Sequence, residues 1–144
     1  MSRIADAARP YIGVRFRHRG RDRMGIDCAG LGWAAYRDCG IELPDFRLYG
    51  REPHRDGLTR HMTAVLGAPV KAAPVRMADL RDGDVIVVRF EVEPHHVAIV
   101  GEFDYCGTTA LTMIHACGWN DRVLEQRLTP DVVARITHVY RRPV

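Results

Sequence analysis

Apolar and polar positions change their rhythm midway along this chain. In the first half, apolar residues gather in short unbroken stretches between breakers. This predicts helices over roughly Ile4 to Ala8, Cys28 to Cys39 and Asp56 to Leu66. Leu31, Trp33, Ala34, Ala35 and Tyr36 run without a breaker until Gly40, a helix stop. Asp56 reads as the N-cap of the third helix and Gly67 as its end. In the second half, short β-branched runs predict strands over Asp84 to Phe90, His96 to Gly101, Leu111 to His115, Arg122 to Leu128 and Ile136 to Arg141. Gaps of about ten residues or fewer between the middle strands suit hairpins rather than helical crossovers. Helices first and strands after predict an α+β domain, with N-terminal helices packed on a central antiparallel sheet. The stretch from Ile41 to Arg55, rich in Pro, Gly and charge, reads as irregular, either lining a cleft or covering the core.

Length narrows the organisation to one domain, residues 1–144, since 144 residues bury one core and not two. No repeat, low-complexity tract or long linker divides it. No run of about 18 apolar residues is present, so no membrane span is expected. Met1-Ser2-Arg3-Ile4-Ala5-Asp6 lacks the apolar core and cleavage site of a secretory signal, which predicts synthesis and folding in a cytosol, or export by a route other than a signal peptide. The net charge of +3 is mild. Arg15, Arg17, Arg19, Arg21 and Arg23 recur at alternate positions, and read as a solvated loop edging a cleft. No aromatic interleaving supports a nucleic-acid surface. Cys28, Cys39, Cys106 and Cys117 form no close pair, so no disulfide framework is expected. Cys39 and Cys106 read as small apolar residues, and Met24, Trp33 and Trp119 as packing.

The chemistry centres on Asp27-Cys28-Ala29-Gly30-Leu31. Gly20 and Gly25 lie upstream, and Cys28 falls in the first turn of the second helix. The positive end of a helix dipole favours thiolate, the nucleophilic form. His96 opens one strand and His115 closes the next, so a hairpin sets them at the same edge. His95 competes with His96, but adjacent strand residues face opposite sides, so one of them at most meets the thiol. A thiol, an imidazole and a second group to orient it form the nucleophile, base and orienter of a cysteine hydrolase. Each residue also has a bland reading: a buried Cys that packs, or a His that caps a strand.

Three segments, in order, resemble the NlpC-type cell-wall cysteine peptidases, the group that includes the p-sixty endopeptidases. Gly25-Ile26-Asp27-Cys28-Ala29-Gly30-Leu31 resembles the family's nucleophile motif. Leu80-Arg81-Asp82-Gly83-Asp84-Val85, with His96-Val97-Ala98-Ile99-Val100-Gly101, resembles the strands that lead to and bear the base. Met113-Ile114-His115-Ala116 is similar to the segment of the third catalytic residue. The resemblance implies a papain-like fold, with Cys28 as nucleophile, His96 as general base and His115 as orienting residue. It implies that Asp27 faces substrate and holds the free amino group of a stem peptide. Phe16 stands where the family usually has a tyrosine, so Tyr11 or a backbone amide would have to replace that hydroxyl. Ala29 stands for the usual serine. The implied reaction cleaves a peptidoglycan stem peptide, commonly between D-glutamate and a diamino acid, with no metal or organic cofactor. The stretch Ala8 to Asp22 is similar to the phage and gene-transfer-agent branch. This implies a tail-tip component that opens the wall during DNA delivery, with other tail proteins as partners.

Three alternatives stay open. A tail-tip protein could keep the fold as a silent assembly part. Cys28, His96, His115 and Cys117 are also zinc-ligand types, although their scatter lacks the short paired spacings of zinc motifs. His115 and Cys117 share a face only if their strand continues past Ala116. An amidase or acyltransferase would use the same chemistry on another substrate.

Overall fold

The structure, a computed structural model, describes residues 3–44, 57–91 and 96–143. The expected α+β architecture is present. Helix α1 (Arg3–Ala8) runs into a 3-10 turn at Arg9–Tyr11. A two-residue hairpin, β1 (Arg21–Asp22) and β2 (Gly25–Ile26), then leads directly into α2 (Cys28–Asp38). Helix α3 (Leu58–Leu66) follows. The proposed cap Asp56 lies outside the described residues, and Gly57 takes the cap position at φ 76°.

A six-stranded antiparallel sheet makes up the second half. It comprises β3 (Lys71–Ala72), β4 (Val85–Val88), β5 (His96–Tyr105), β6 (Thr108–Cys117), β7 (Arg122–Arg127) and β8 (Ile136–Tyr140), in the order β3-β8-β4-β5-β6-β7. A short helix α4 (Pro130–Val133) precedes β8, capped by Thr129. Strands β4, β5, β6 and β7 are sequential neighbours, as short connections require. Among the described residues no helix is long and apolar enough to cross a membrane.

The pleat sorts the apolar side chains into two clusters. Val85, Val87, Val97, Ile99, Ile114 and Ala116 pack with α1 and α2. Ile86, Val88, Ala98, Val100 and Met113 pack with Leu128, Val132, Val133 and Ile136 on the opposite face. The sheet is thus covered on both sides, which explains why β4 reads as an unbroken apolar run, Val-Ile-Val-Val, rather than as an alternation.

The strands of the middle hairpin are longer than their apolar runs. Pairing of β5 with β6 continues to Tyr105↔Thr108. Beyond Gly101 these residues leave the core: Phe103 is 49 % exposed and Tyr105 41 %. The turn at Cys106 and Gly107 has φ 52° and 86°, the positive angles of a tight hairpin turn. Cys106 is exposed there, not packed as expected, because the turn lifts it off the sheet. Met24, also expected to pack, is 82 % exposed on the small hairpin.

The Leu80–Val85 segment has a structural explanation. Gly83 adopts φ 94°, and Asp84 turns inward, 1 % exposed. Its carboxylate takes two hydrogen bonds from Arg141, at 2.7 and 2.8 Å, and one from the Arg81 backbone N–H. This half-buried pair ties the turn before β4 to the chain after β8.

Candidate active site

Cys28 is the first residue of α2, and Asp27 is its N-cap in extended conformation. The Asp27 carboxylate accepts the Gly30 backbone N–H at 2.8 Å, the capping contact that starts the helix. The same oxygen receives Arg21 Nη1 at 2.9 Å, and the other receives the Arg19 backbone N–H at 2.8 Å. Both side chains of the Arg21–Asp27 pair are about nine-tenths or more buried, at 5 % and 4 % exposure. Two expectations change here. Arg21 is not part of a solvated rim, because the β1–β2 hairpin turns it inward to the helix start. Asp27 has both oxygens committed inside the protein and acts on the position of Cys28.

Gly30 exists for the same junction. A Cβ at this position would lie 2.2 Å from the Gly20 carbonyl oxygen and 2.8 Å from Arg21 Nη1. The glycines of the loop and of the helix therefore allow one backbone to rest on the other.

Helix α2 packs across β5 and β6. Cys28 is 6 % exposed and shares its packing cluster with Val97 and Ala116, the chain neighbours of His96 and His115. The two histidines project with Ala98, Val100 and Met113, on the other side of the pleat. They meet each other as the hairpin predicts. His96 Nε2 lies 2.6 Å from His115 Nδ1, with the rings edge to face and both residues almost fully buried. His95 lies outside the described residues.

Three further residues complete the cluster: Gln126 and Trp119, which the sequence did not place here, and Cys117, which it set beside His115 only in the zinc alternative. Gln126 of β7 sets its Oε1 2.9 Å from His115 Nε2. Trp119, 48 % exposed, sits against both imidazoles and against Phe90, so it shields the rings rather than the core. Cys117 is buried, with Sγ 2.9 Å from His115 Nδ1. Strand β6 continues past Ala116 to Cys117, so the condition for a shared face with His115 is met. The alternation His115, Cys117 was the available signal. Gln126 was hidden because a strand pairing, not a motif, brings it there.

Burial, the neighbouring His96 and a weaker opposing contribution from Gln126 leave the His115 ring with its pKa lowered to about 4. His115 is therefore neutral near pH 7. With the Gln126 oxygen facing it, Nε2 holds the proton and donates. Its Nδ1 is then the acceptor, so His96 Nε2–H is the donor across the 2.6 Å contact. Any exchange of a proton between His96 and a thiol must run through Nδ1.

Phe16 packs on the helix side of the sheet, and a Cβ added at Gly118 would meet its ring at 3.9 Å. It thus reaches the turn that follows Cys117. Tyr11 does not come to this end. Its hydroxyl donates to Asp38 at 2.8 Å and accepts from Arg37 at 2.9 Å, both at the C-terminal end of α2. That end lies about 15 Å along the helix axis from Cys28. Tyr11 therefore cannot stand in for the hydroxyl that Phe16 lacks.

Two cavities flank the cluster. One is lined by Ala29, Gly32, Trp33, Met62, Leu66 and Val97, and so includes the chain neighbours of Cys28 and His96. The other opens over His115, between Phe90, Glu91, Trp119, Gln126 and Asp131.

Solved structures with this fold include an NlpC/P60 family protein from Bacillus cereus ATCC 10987, 21 % identical with a TM-score of 0.58 over 96 % of this chain and 39 % of that one. The NlpC/p60 domain of the peptidoglycan hydrolase SagA is 18 % identical, with a TM-score of 0.55 over 96 % of both chains. The peptidoglycan hydrolase RipB from Mycobacterium tuberculosis is 20 % identical, with a TM-score of 0.54 over 96 % of this chain and 62 % of that one. This chain thus spans less than two thirds of the Bacillus and Mycobacterium proteins. No curated protein matches it. The family model of NlpC/P60 matches residues 13–142, which contain Cys28, His96 and His115, and the chain belongs to the NlpC/P60 family.

Proposed function

We propose that this chain is a cysteine peptidase that cuts peptidoglycan stem peptides, between D-glutamate and a diamino acid, as a tail-tip component of a phage or gene-transfer agent. The observation that carries the peptidase reading is the chain of contacts Gln126–His115–His96, in a family member whose Cys28 begins a capped helix. Two of the structures with this fold are described as peptidoglycan hydrolases, which supports the substrate class. The particle role rests on the likeness of residues Ala8 to Asp22 to that branch.

The chemistry follows from the tautomers. His96 presents Nδ1 as a base because its Nε2–H is committed to neutral His115. It takes the Cys28 proton, and the thiolate attacks the peptide carbonyl. The Cys28 backbone N–H, at a helix start, faces the developing oxyanion. His96 then protonates the leaving amine, and water cleaves the thioester.

Incubation with purified peptidoglycan, and with synthetic stem peptides of each diamino-acid type, tests this. Turnover lost in Cys28→Ser supports it; no turnover on any stem type rejects it. That second outcome favours a silent assembly part, a reading supported by the inward-turned Asp27 and the distant Tyr11 hydroxyl.

A further inference from the structure

His96, His115 and Cys117 bring three metal-binding atoms within 4.8 Å of one another, all in buried residues. We propose that His96 Nε2, His115 Nδ1 and Cys117 Sγ form a site for a zinc-class divalent ion, and that its occupation silences the Cys28–His96 pair. The silencing rests on the peptidase reading above; the binding does not.

The donor set suits such an ion. Two imidazoles and one thiolate leave a tetrahedral ion one open position. Zinc–ligand bonds of about 2.0–2.3 Å place tetrahedral ligand atoms about 3.3 to 3.6 Å apart. The present separations are 2.6 Å between the two nitrogens and 2.9 Å from Sγ to His115 Nδ1. Each contact needs to open by about 0.7 Å, a side-chain adjustment next to a cavity.

Gln126 supplies an independent sign. A metal-ligating histidine ordinarily donates its second N–H to an oxygen that fixes its tautomer. Gln126 Oε1 already takes Nε2–H of His115 at 2.9 Å, which leaves Nδ1 as the lone-pair donor that an ion requires. Access runs through the cavity over His115, where Glu91 and Asp131 are two of the lining residues. Arg135 lines the same cavity, with Nε 3.9 Å from Asp131 Oδ2, so Glu91 supplies the remaining negative charge on the route.

The proton balance explains the silencing. The ion takes His96 Nε2, so the proton held there moves to Nδ1 of the same ring. The Cys117 thiol proton leaves to solvent as the sulfur–metal bond forms. No electron changes hands. His96 then carries its proton on the one nitrogen that could accept one from Cys28, and the base is gone.

The test uses the full chain without a polyhistidine tag, with cobalt(II) as a spectroscopic substitute for zinc. One equivalent is expected to give a thiolate-to-cobalt charge-transfer band and four-coordinate visible bands. Both persist in Cys28→Ala. In Cys117→Ser the charge-transfer band disappears and binding weakens about tenfold or more. Alkylation of Cys28 by iodoacetamide, read residue by residue by mass spectrometry, is expected to slow about tenfold on adding one equivalent of zinc. Should Cys117→Ser not fold, the native chain and Cys28→Ala still decide whether a thiolate other than Cys28 binds. Three results overturn the proposal: no stoichiometric cobalt binding, a band lost in Cys28→Ala, or Cys28 alkylation unaffected by bound zinc. Zinc-free protein that binds cobalt but cuts no stem peptide rejects the peptidase reading instead and leaves the metal site standing.

Discussion

Gln126 Oε1 stands 2.9 Å from His115 Nε2, and this one contact sets the proton positions on two rings. An oxygen there makes His115 a donor on that side and an acceptor on the other, and so makes His96 Nε2 a donor. A glutamine on β7, outside every motif of the chain, thus governs which nitrogen of His96 is basic.

Replacing that oxygen tests the role. Gln126→Ala is expected to lower kcat about tenfold or more with little change in KM, since the ring loses its tautomer partner but substrate contacts stay. Gln126→Glu keeps an accepting oxygen and is expected to recover most of the loss. Steady-state kinetics on a stem peptide separate the two variants. Equal damage from both would show that Gln126 only fills space.

The Arg21–Asp27 pair should dominate the stability of the helix start. Asp27→Ala removes the cap and the buried ion pair, leaving Arg21 Nη1 with the Gly20 carbonyl at 3.0 Å, an expected cost of about 3–5 kcal/mol. Arg21→Ala leaves the carboxylate buried but still accepting the Gly30 and Arg19 backbone N–H groups. In urea unfolding, the double substitution is expected to cost clearly less than the sum of the singles. Additive costs would mean that the two side chains act independently.

Two glycines of the same helix make opposite forecasts. Alanine at 30 meets the Gly20 carbonyl at 2.2 Å, whereas alanine at 32 meets nothing within 4 Å. Gly32→Ala is expected to raise stability by up to about 1 kcal/mol through helix propensity. Gly30→Ala should lower both stability and Cys28 reactivity. Melting temperatures of the pair check this, and a stabilised Gly30→Ala would refute the close packing.

His115 also predicts how stability depends on pH. Its pKa is lowered from 6.5 to about 4 in the folded chain. The unfolded chain therefore binds a proton first as pH falls below 6.5. The contribution of neutral His115 is complete above that pH and is lost progressively towards pH 4. His115→Gln is expected to flatten this part of the curve in denaturant titrations at pH 7, 5.5 and 4.5.

Much of this was readable in advance where local pattern and tertiary structure agree. Strand β4 and the core of β5 announced themselves by β-branched runs, and α2 by its largely apolar Leu31–Tyr36 stretch, with Gly40 as the stop beyond it. The meeting of His96 and His115 followed from hairpin geometry alone. What escaped had no periodic signal. Strands β1, β2 and β3 have two residues each and α4 has four, too short for any period to register. The outer half of β5–β6 escaped because its residues pair without being buried. Arg21 looked like one of five similar arginines; only the turn of the β1–β2 hairpin distinguishes it. Gln126 was assigned no partner because its role depends on how β6 and β7 align.

The inward guanidinium at position 21 has an electrostatic consequence for the sulfur. A lone carboxylate one residue before a nucleophilic thiol would repel the very anion that the reaction needs. Paired with its arginine inside the protein, that negative charge is balanced locally. The field that remains at the mouth of α2 comes from the aligned peptide groups, and it points the favourable way.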